Sequence, residues 1–193
     1  MSFSRYLLVL ACATLVSLAQ AAQAAESPEL RALPALNVPA YMGTWFQVAW
    51  FPNRFQKQCV ADTAATYRVL TDGKVEVLNR CRLADGEVEQ ILGVARPTGV
   101  IEGETLKPAQ LEVSFLPAAL RWIPFGWGRY WVIKLADDGR YSVVSEPGRD
   151  YLWILARQPQ LSAADNAEIR VFLQQQGFDL SRLQTHPQTR PLR

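Results

Sequence analysis

The sequence predicts an all-β protein, an eight-stranded up-and-down antiparallel β-barrel with one C-terminal α-helix packed on the outside. Three observations predict its consecutive antiparallel strands and its single helix. Short segments rich in β-branched and aromatic residues follow one another, Asp-Gly turns typical of hairpins join several of them, and a helical period of apolar residues occurs only near the C-terminus. Closure into a barrel would remove the exposed edges of an open sheet. A two-sheet sandwich is the alternative.

Eight segments are the candidate strands, and each combines apolar or aromatic residues with the length of an ordinary strand. They are Thr44–Trp50, Val60–Leu70, Lys74–Arg82, Val88–Arg96, Gln110–Leu116, Arg129–Leu135, Tyr141–Glu146 and Tyr151–Arg157.

Asp-Gly pairs lie in three of the connections, at Asp72-Gly73, Asp85-Gly86 and Asp138-Gly139. Glycine tolerates the positive φ that tight hairpin turns require, so these connections predict consecutive antiparallel strands. In the third strand, apolar Val75 and Val77 alternate with charged residues, which predicts one buried and one solvated face.

One helix is predicted near the C-terminus. Ser162 followed by Asp165 is typical of an N-cap with an acidic third position. Ile169, Phe172 and Leu173 then recur at helical spacing until Gly177, so we expect a helix of about four turns that packs against the sheet.

Charge and composition exclude several functions. The 193 residues carry 20 Lys and Arg against 18 Asp and Glu, a net charge of +2, without a block of like charges, so nucleic acid is not an expected partner. Apolar residues make up 49% of the chain, enough to bury a sizeable core. A single histidine, His186, offers little basis for histidine catalysis or metal ligation. We therefore expect no metal site and no cofactor.

The N-terminus resembles a secretory signal peptide. Arg5 precedes an apolar run over residues 6–18, and alanines at alternate positions lead to Glu26. We predict a signal peptide over residues 1–24 and an exported, periplasmic protein that could associate with the outer membrane. Cys12 offers an alternative, because Val9-Leu10-Ala11-Cys12 loosely resembles a lipobox and would make the protein an outer-membrane lipoprotein lipidated at Cys12.

The rest of the chain is predicted to form one domain. Prolines punctuate residues 25–40, so this stretch is expected to be an extended leader. The barrel and helix are assigned to residues 41–185, and residues 186–193, with two prolines, are expected to be a flexible tail.

Several motifs, in order, resemble one family. They are Gly43-Thr-Trp45, Phe51-Pro-Asn-Arg-Phe55-Gln, Asn79-Arg80, Gly128-Arg-Tyr-Trp-Val-Ile133, Ser145–Arg157 and Gly177–Leu183. This set is similar to the lipocalin family, in the branch that contains bacterial lipocalins, apolipoprotein D and plant temperature-induced lipocalins. The resemblance covers about residues 37–183. It implies a barrel that holds one small ligand, and it implies that Trp45 and Arg157 form a structural pair at the closed end.

Strand alternation, together with the resemblance for the aromatic residues, nominates side chains that line the pocket. The alternative for each is packing outside the barrel against the helix. The predicted ligand-binding residues are Ala49, Phe55, Tyr67, Val77, Asn79, Phe115, Tyr130, Tyr151 and Trp153.

Arg149 joins Asn79 and Tyr151 as a candidate for the rim, where it would meet a phosphate or carboxylate. Its alternative is an ion pair with Glu146 or Asp150 that shapes the turn.

The segment from Leu116 to Trp127 is unusually aromatic for a loop, since it contains Trp122, Phe125 and Trp127. In the lipocalin topology it lies at the open mouth. We consider a lid over the pocket first, contact with a membrane surface second and a dimer interface third. The protein is expected to be a monomer or a weak homodimer.

Cys59 and Cys81 remain after export to an oxidising compartment, and we expect them to form a disulfide. A two-residue turn at Asp72-Gly73 would pair Cys59 with residue 86, so the bridge requires a bulge or a curled loop. A reactive thiol pair is the alternative.

The function expected from these observations is that of an extracytoplasmic carrier of a fatty acid or lysophospholipid, without enzymatic activity. Its role would be in storage, transport or membrane maintenance in the envelope. Two alternatives remain. One is haem or pigment binding through Tyr67, Tyr130 or Tyr151, and the other is an isomerase that uses a free cysteine.

Overall fold

The computed structural model of the protein describes residues 28–98 and 109–192. The predicted signal peptide, the first residues of the leader and Cys12 lie outside the described residues. Within the described residues, no helix is both long enough and apolar enough to cross a bilayer.

The predicted barrel is confirmed. Its strands run in chain order around the barrel, each antiparallel to the next. They are β1 (Gly43–Trp50), β2 (Ala61–Val69), β3 (Val75–Arg82), β4 (Val88–Pro97), β5 (Gln110–Ser114), β6 (Gly128–Leu135), β7 (Tyr141–Ser145) and β8 (Leu152–Ala156). β1 pairs with both β8 and β2, which closes the sheet on itself.

A short additional strand, β9 (Gln184–Thr185), was not predicted. It pairs with Ala49 and Trp50 at the end of β1. The pairing of β1 with β2 covers only Gly43–Phe46. β9 therefore pairs with the part of β1 that is no longer paired with β2.

The two ends of the barrel differ in their connections. We call one end the mouth; the loops at residues 51–60, 83–87, 115–127 and 146–151 lie there. We call the opposite end the base; the turns at residues 70–74 and 136–140 lie there.

The hairpin between β2 and β3 differs from the predicted two-residue turn. Leu70 and Lys74 pair through Leu70 N–H to Lys74 O at 2.7 Å, so three residues form the loop. Gly73 takes a positive φ of +79° there, as three-residue hairpin loops require. The pairing register is accordingly one residue away from the one expected.

Apolar side chains form two clusters, one on each side of the barrel wall. The inner cluster fills the base and includes Trp45, Tyr67, Val77 and Leu155. The outer cluster lies between the wall and the C-terminal helix. Alternation along each strand divides its residues between the two clusters.

The predicted helix is confirmed as α2 (Ala163–Gln175). The Ser162 hydroxyl accepts a hydrogen bond from Asp165 N–H at 3.0 Å, which caps the first turn. Ile169 and Leu173 are buried in the outer cluster. Asp165 also accepts from the Arg140 guanidinium at 2.6 Å, and this ion pair joins the helix to the turn before β7.

The leader is less extended than predicted, because residues Val38–Tyr41 form a one-turn helix, α1. The Asn37 side chain accepts from Ala40 N–H at 3.2 Å, and Pro39 lies in the first turn, where a missing N–H costs nothing.

The C-terminal tail, expected to be flexible, is hydrogen-bonded to the barrel. Asp62 is fully buried at the start of β2, and its carboxylate accepts from Thr189 N–H at 2.6 Å and from Arg190 N–H at 2.8 Å. The Arg82 guanidinium donates to the same carboxylate at 2.6 Å. Burial acts to raise the pKa of Asp62, but these hydrogen bonds hold it below its ordinary value.

His186 strengthens the attachment of the tail. The main-chain N–H of His186 donates to Val48 O at 2.9 Å. Nε2 of its ring lies 2.7 Å from the Thr63 hydroxyl. Residues 184–190 thus fill the gap between the upper parts of β1 and β2. We call this segment the strap.

Candidate functional site

Three tyrosines join their hydroxyl groups inside the base of the barrel. Tyr130 Oη lies 2.9 Å from Tyr67 Oη and 3.2 Å from Tyr41 Oη, and Tyr41 Oη lies 2.9 Å from the Ser142 hydroxyl. Burial raises the pKa of all three phenols above the ordinary value. The hydroxyls therefore stay protonated and satisfy one another in an apolar environment.

A narrow cavity lies beside these tyrosines. Its volume is about 30 Å³, room for one or two water molecules. Its walls are Leu36, Val38, Tyr41, Met42, Tyr67, Val75, Val77, Ala95, Leu111, Val113 and Tyr130. The predicted pocket residues Tyr67, Val77 and Tyr130 thus lie together at the base.

Three other predicted residues meet at the mouth. The rings of Tyr151 and Trp153 stack with centroids 5.9 Å apart and an interplanar angle of 7°, and Phe55 lies 5.5 Å from Tyr151. Trp153 packs against the inner cluster from above. The half-buried Tyr151 and Trp153 rings form an aromatic surface that leads from the loop at 51–60 into the barrel.

Asn79 and Phe115 lie on the other side of the mouth. Asn79 pairs with Ala65, which packs on the inner cluster, so Asn79 faces the interior. The ring of Phe115 lies over Gly93 of β4, where a Cβ would come within 2.6 Å of it. Gly93, which pairs with Val77, therefore makes room for the Phe115 ring on the inner side of the wall.

Ala49 does not lie where alternation predicts. A bulge in β1 shifts the pairing between Gln47 and Ala49, so Gln47 pairs with Leu155 and Ala49 with Ile154. Ala49 and Ile154 both belong to the outer cluster. An extra residue in a strand reverses the face of every residue beyond it, which is why the prediction for Ala49 is wrong.

Arg149 is also placed differently from both expectations. Its guanidinium donates to Gln176 O at 2.8 Å and to Pro28 O, and it lies 5.8 Å from the Phe178 ring. It therefore closes the C-terminal end of α2 outside the barrel and not at the rim. Glu146, one of the two alternative partners considered for it, instead accepts backbone hydrogen bonds within its own loop.

The aromatic loop at 115–127 divides into an anchored part and an exposed part. Trp127 Nε1 donates to Arg121 O at 2.8 Å, and the Arg96 guanidinium lies 4.0 Å from the Trp127 ring. In contrast, Trp122 is 78% exposed and Phe125 is 90% exposed. These two side chains do not cover the mouth as a lid would.

The predicted disulfide is present. Cys59 and Cys81 are bonded, with Cα atoms 5.5 Å apart. A register shift between Ala61 and Ala64 supplies the bulge that the bridge requires. Cys59 N–H also donates to Gln56 O at 3.0 Å, so the loop curls back toward β3. The bridge fixes the end of this loop to the barrel wall.

Trp45 and Arg157 form the pair that the resemblance implies. The guanidinium lies 3.7 Å from the centroid of the buried indole and donates to Ala40 O and Thr44 O. Trp45 Nε1 donates to Tyr41 O at 2.8 Å. This pair closes the base and holds the leader against it.

Two glutamines of the interior were not predicted as site residues. Gln47 lies on the inward face of β1, two residues after Trp45, so strand alternation alone could have identified it. Gln56 comes from the loop at 51–60 and donates to Gln47 Oε1 at 2.9 Å. No periodic signal marks Gln56, because its loop has no regular repeat.

Comparison with known proteins agrees with this architecture. The sequence profile of the "Lipocalin-like domain" family matches residues 36–188. Temperature-induced lipocalin-1 of Arabidopsis thaliana is 34% identical over 83% of this chain and 84% of its own length. Outer membrane lipoprotein Blc of Escherichia coli is 33% identical over 92% of this chain and 94% of its own.

Solved structures show the same fold at low sequence identity. Insecticyanin from the tobacco hornworm Manduca sexta superposes with a TM-score of 0.63 at 16% identity, covering 84% of this chain and 86% of its own. With the family match over most of the chain, the closed barrel and its Trp45–Arg157 base, these findings show that the protein belongs to the lipocalin family.

Proposed function

We propose that the protein is a non-catalytic carrier that binds an acyl lipid, a fatty acid or a lysophospholipid, inside its barrel. The observation that carries this proposal is the aromatic surface of Phe55, Tyr151 and Trp153 above an apolar interior. An acyl chain would extend toward the base, with its head group near the mouth. Asn79 and the glutamines of the interior supply polar contacts without a charge.

The proposed location is the cell envelope. Its support is the similarity over nearly the whole chain to a protein named as an outer membrane lipoprotein. Soluble export with cleavage after Ala24 and lipidation at Cys12 predict different mature N-termini, so the intact mass of the purified protein distinguishes them. Storage, transport or membrane maintenance would be the role in either case.

We infer in addition that the exposed tip of the aromatic loop contacts a membrane surface. Trp122 and Phe125 are the most exposed large apolar side chains among the described residues, and they lie on the loop beside the mouth. Aromatic side chains next to a basic residue, here Arg121, suit the interface of a bilayer. Such contact would bring the mouth to the lipid that it takes up.

The two other candidate functions receive less support. Binding of haem through Tyr67 or Tyr130 would require a phenolate, and burial raises the pKa of both groups. An isomerase that depends on Cys59 or Cys81 would require a thiol that the disulfide removes.

A binding titration with a blocked barrel tests the carrier proposal. Oleic acid and oleoyl-lysophosphatidylcholine should displace the dye N-phenyl-1-naphthylamine from the wild-type protein. Asn79→Trp would fill the interior from β3 and should abolish uptake of the dye. Leu78→Trp is the matched control, because Leu78 pairs with the exposed Leu92 on the outer face. Equal binding by both variants would contradict a site inside the barrel.

A further inference from the structure

A buried amide inside the barrel has an unused hydrogen-bond donor. Gln47 pairs with Leu155, an inner-cluster residue, and is only 3% exposed. Among the described residues, its Nε2 has no hydrogen-bond partner. A buried amide N–H without a partner costs free energy, so most such groups in folded proteins are paired.

The orientation of this amide follows from its neighbours. Trp153 Nε1 can only donate, and it donates to Gln56 at 2.9 Å, so the Gln56 atom that accepts must be Oε1. The other end of Gln56 is then Nε2, which donates to Gln47 at 2.9 Å. Gln47 must accept through Oε1, and its NH₂ group is therefore the one left over.

The main chain of Gln47 is already occupied. Its carbonyl accepts from Gln188 Nε2 at 2.9 Å, and Gln188 also donates to Thr63 O at 2.9 Å. This bridge from the strap holds β1 beside β2 at the height of Gln47. The main chain at Gln47 is thus held in place, and the free Nε2 donor belongs to a side chain whose position is defined.

We propose that Gln47 Nε2 binds an uncharged carbonyl oxygen of the ligand, so that the barrel selects acyl esters over ligands without a carbonyl. This inference rests on the carrier function proposed above. The ester carbonyl then lies beside Trp153, with the acyl chain below it.

The preference for an uncharged oxygen follows from the polar groups nearby. Gln47, Gln56 and Trp153 offer amide and indole groups and no formal charge. The predicted rim cation, Arg149, lies outside the barrel at the end of α2. A carboxylate at this depth would lack a counter-charge, and an unpaired buried charge is costly, whereas an ester carbonyl needs only a donor.

Two lipids that differ in one oxygen atom test the proposal. Lauroyl-lysophosphatidylcholine carries an ester carbonyl, and its dodecyl ether analogue has the same head group and chain length without that carbonyl. We expect the wild-type protein to bind the ester about five- to tenfold more tightly in calorimetric titration, the value of one buried hydrogen bond. Gln47→Met should reduce this preference to less than about twofold.

Gln90→Met is the matched control. Gln90 is exposed on β4 and pairs with Arg80, so the same change lies on the outer face of the wall. This variant should keep the full preference for the ester. Equal loss of preference in both variants would contradict the assignment to Gln47.

A spectroscopic measurement on the wild-type protein covers the case in which Gln47→Met does not fold. Lauroyl-lysophosphatidylcholine labelled with ¹³C at the carbonyl should show a lower C=O stretching frequency when bound than in a solvent that donates no hydrogen bond. The frequency falls because the bound carbonyl accepts a hydrogen bond. An unshifted frequency would overturn the inference.

The outcomes separate this inference from the carrier proposal. If the wild-type protein binds both lipids equally, Gln47 does not bind the carbonyl oxygen, although the barrel still holds a lipid. If it binds neither lipid, the carrier proposal itself is contradicted.

Discussion

The guanidinium of Arg157 lies 3.7 Å from the centroid of the Trp45 indole, and the two side chains together seal the base of the barrel. Arg157 also donates to Ala40 O at 2.9 Å and to Thr44 O at 3.0 Å. One cation thus joins the leader, the first strand and the end of the last barrel strand. This relationship predicts that the pair supports the fold and leaves ligand binding at the mouth unaffected.

Trp45→Ala should destabilise the protein by about 3–5 kcal/mol, because the indole is fully buried and its removal leaves a large cavity. Arg157→Met should cost less, on the order of 1–2 kcal/mol, since its aliphatic part keeps some packing. Urea unfolding measures both values. Arg31→Met, at an exposed surface pair, is the control and should change stability little. If the Trp45→Ala variant were as stable as the wild-type protein, the indole would not stabilise the fold as proposed.

The single histidine should make stability depend on pH near neutrality. Burial lowers the pKa of His186 below its ordinary value of 6.5. The Ala61 carbonyl and the charge of Asp62 act to raise this pKa, but the effect of burial is larger. The unfolded chain therefore binds a proton at a pH where the folded protein does not. The resulting stabilisation is present above about pH 6.5 and is lost as the pH falls toward the folded pKa.

Urea unfolding at about pH 7.5 and about pH 5.5 measures this effect, because the chain contains no second histidine that titrates in this range. The wild-type protein should be less stable at the lower pH. His186→Gln should be less stable at the higher pH and should show a smaller change between the two. An identical pH dependence in the variant would show that His186 is solvated and that the strap is loose.

The exposed loop tip should determine binding to membranes. Each of Trp122→Ser and Phe125→Ser should weaken association with vesicles of phosphatidylcholine and phosphatidylglycerol roughly tenfold, since an aromatic side chain would no longer enter the interface. Sedimentation of the vesicles measures the bound fraction. Val171→Ser, on the exposed face of α2, should bind like wild type. If all three variants bind alike, the loop is not the membrane contact.

The alternation of residues predicted the strands well, because in a closed barrel each residue faces either the interior or the outer cluster. The same rule failed at Ala49, where a single bulge reverses the face. Turn residues predicted hairpins but not the length of the loop at Asp72-Gly73, and a difference of one residue changed the register.

Contacts between distant segments were beyond prediction from local patterns. The strap depends on a carboxylate, Asp62, whose partners Thr189 and Arg190 lie more than a hundred residues away. Arg149 could be assigned to the rim from its loop, yet its partner is the end of a helix that follows it in the chain. Such pairings follow from the folded topology and not from spacing along the sequence.

Native mass spectrometry of protein purified from its native cells, followed by organic extraction, tests the central claim most directly. The carrier account predicts one acyl lipid for each polypeptide in the wild-type protein and none in Asn79→Trp. The same spectrum gives the mature N-terminus, and the disulfide between Cys59 and Cys81 lowers the mass by two hydrogens. An empty wild-type barrel that also fails to take up added lysophosphatidylcholine or oleic acid would contradict the account.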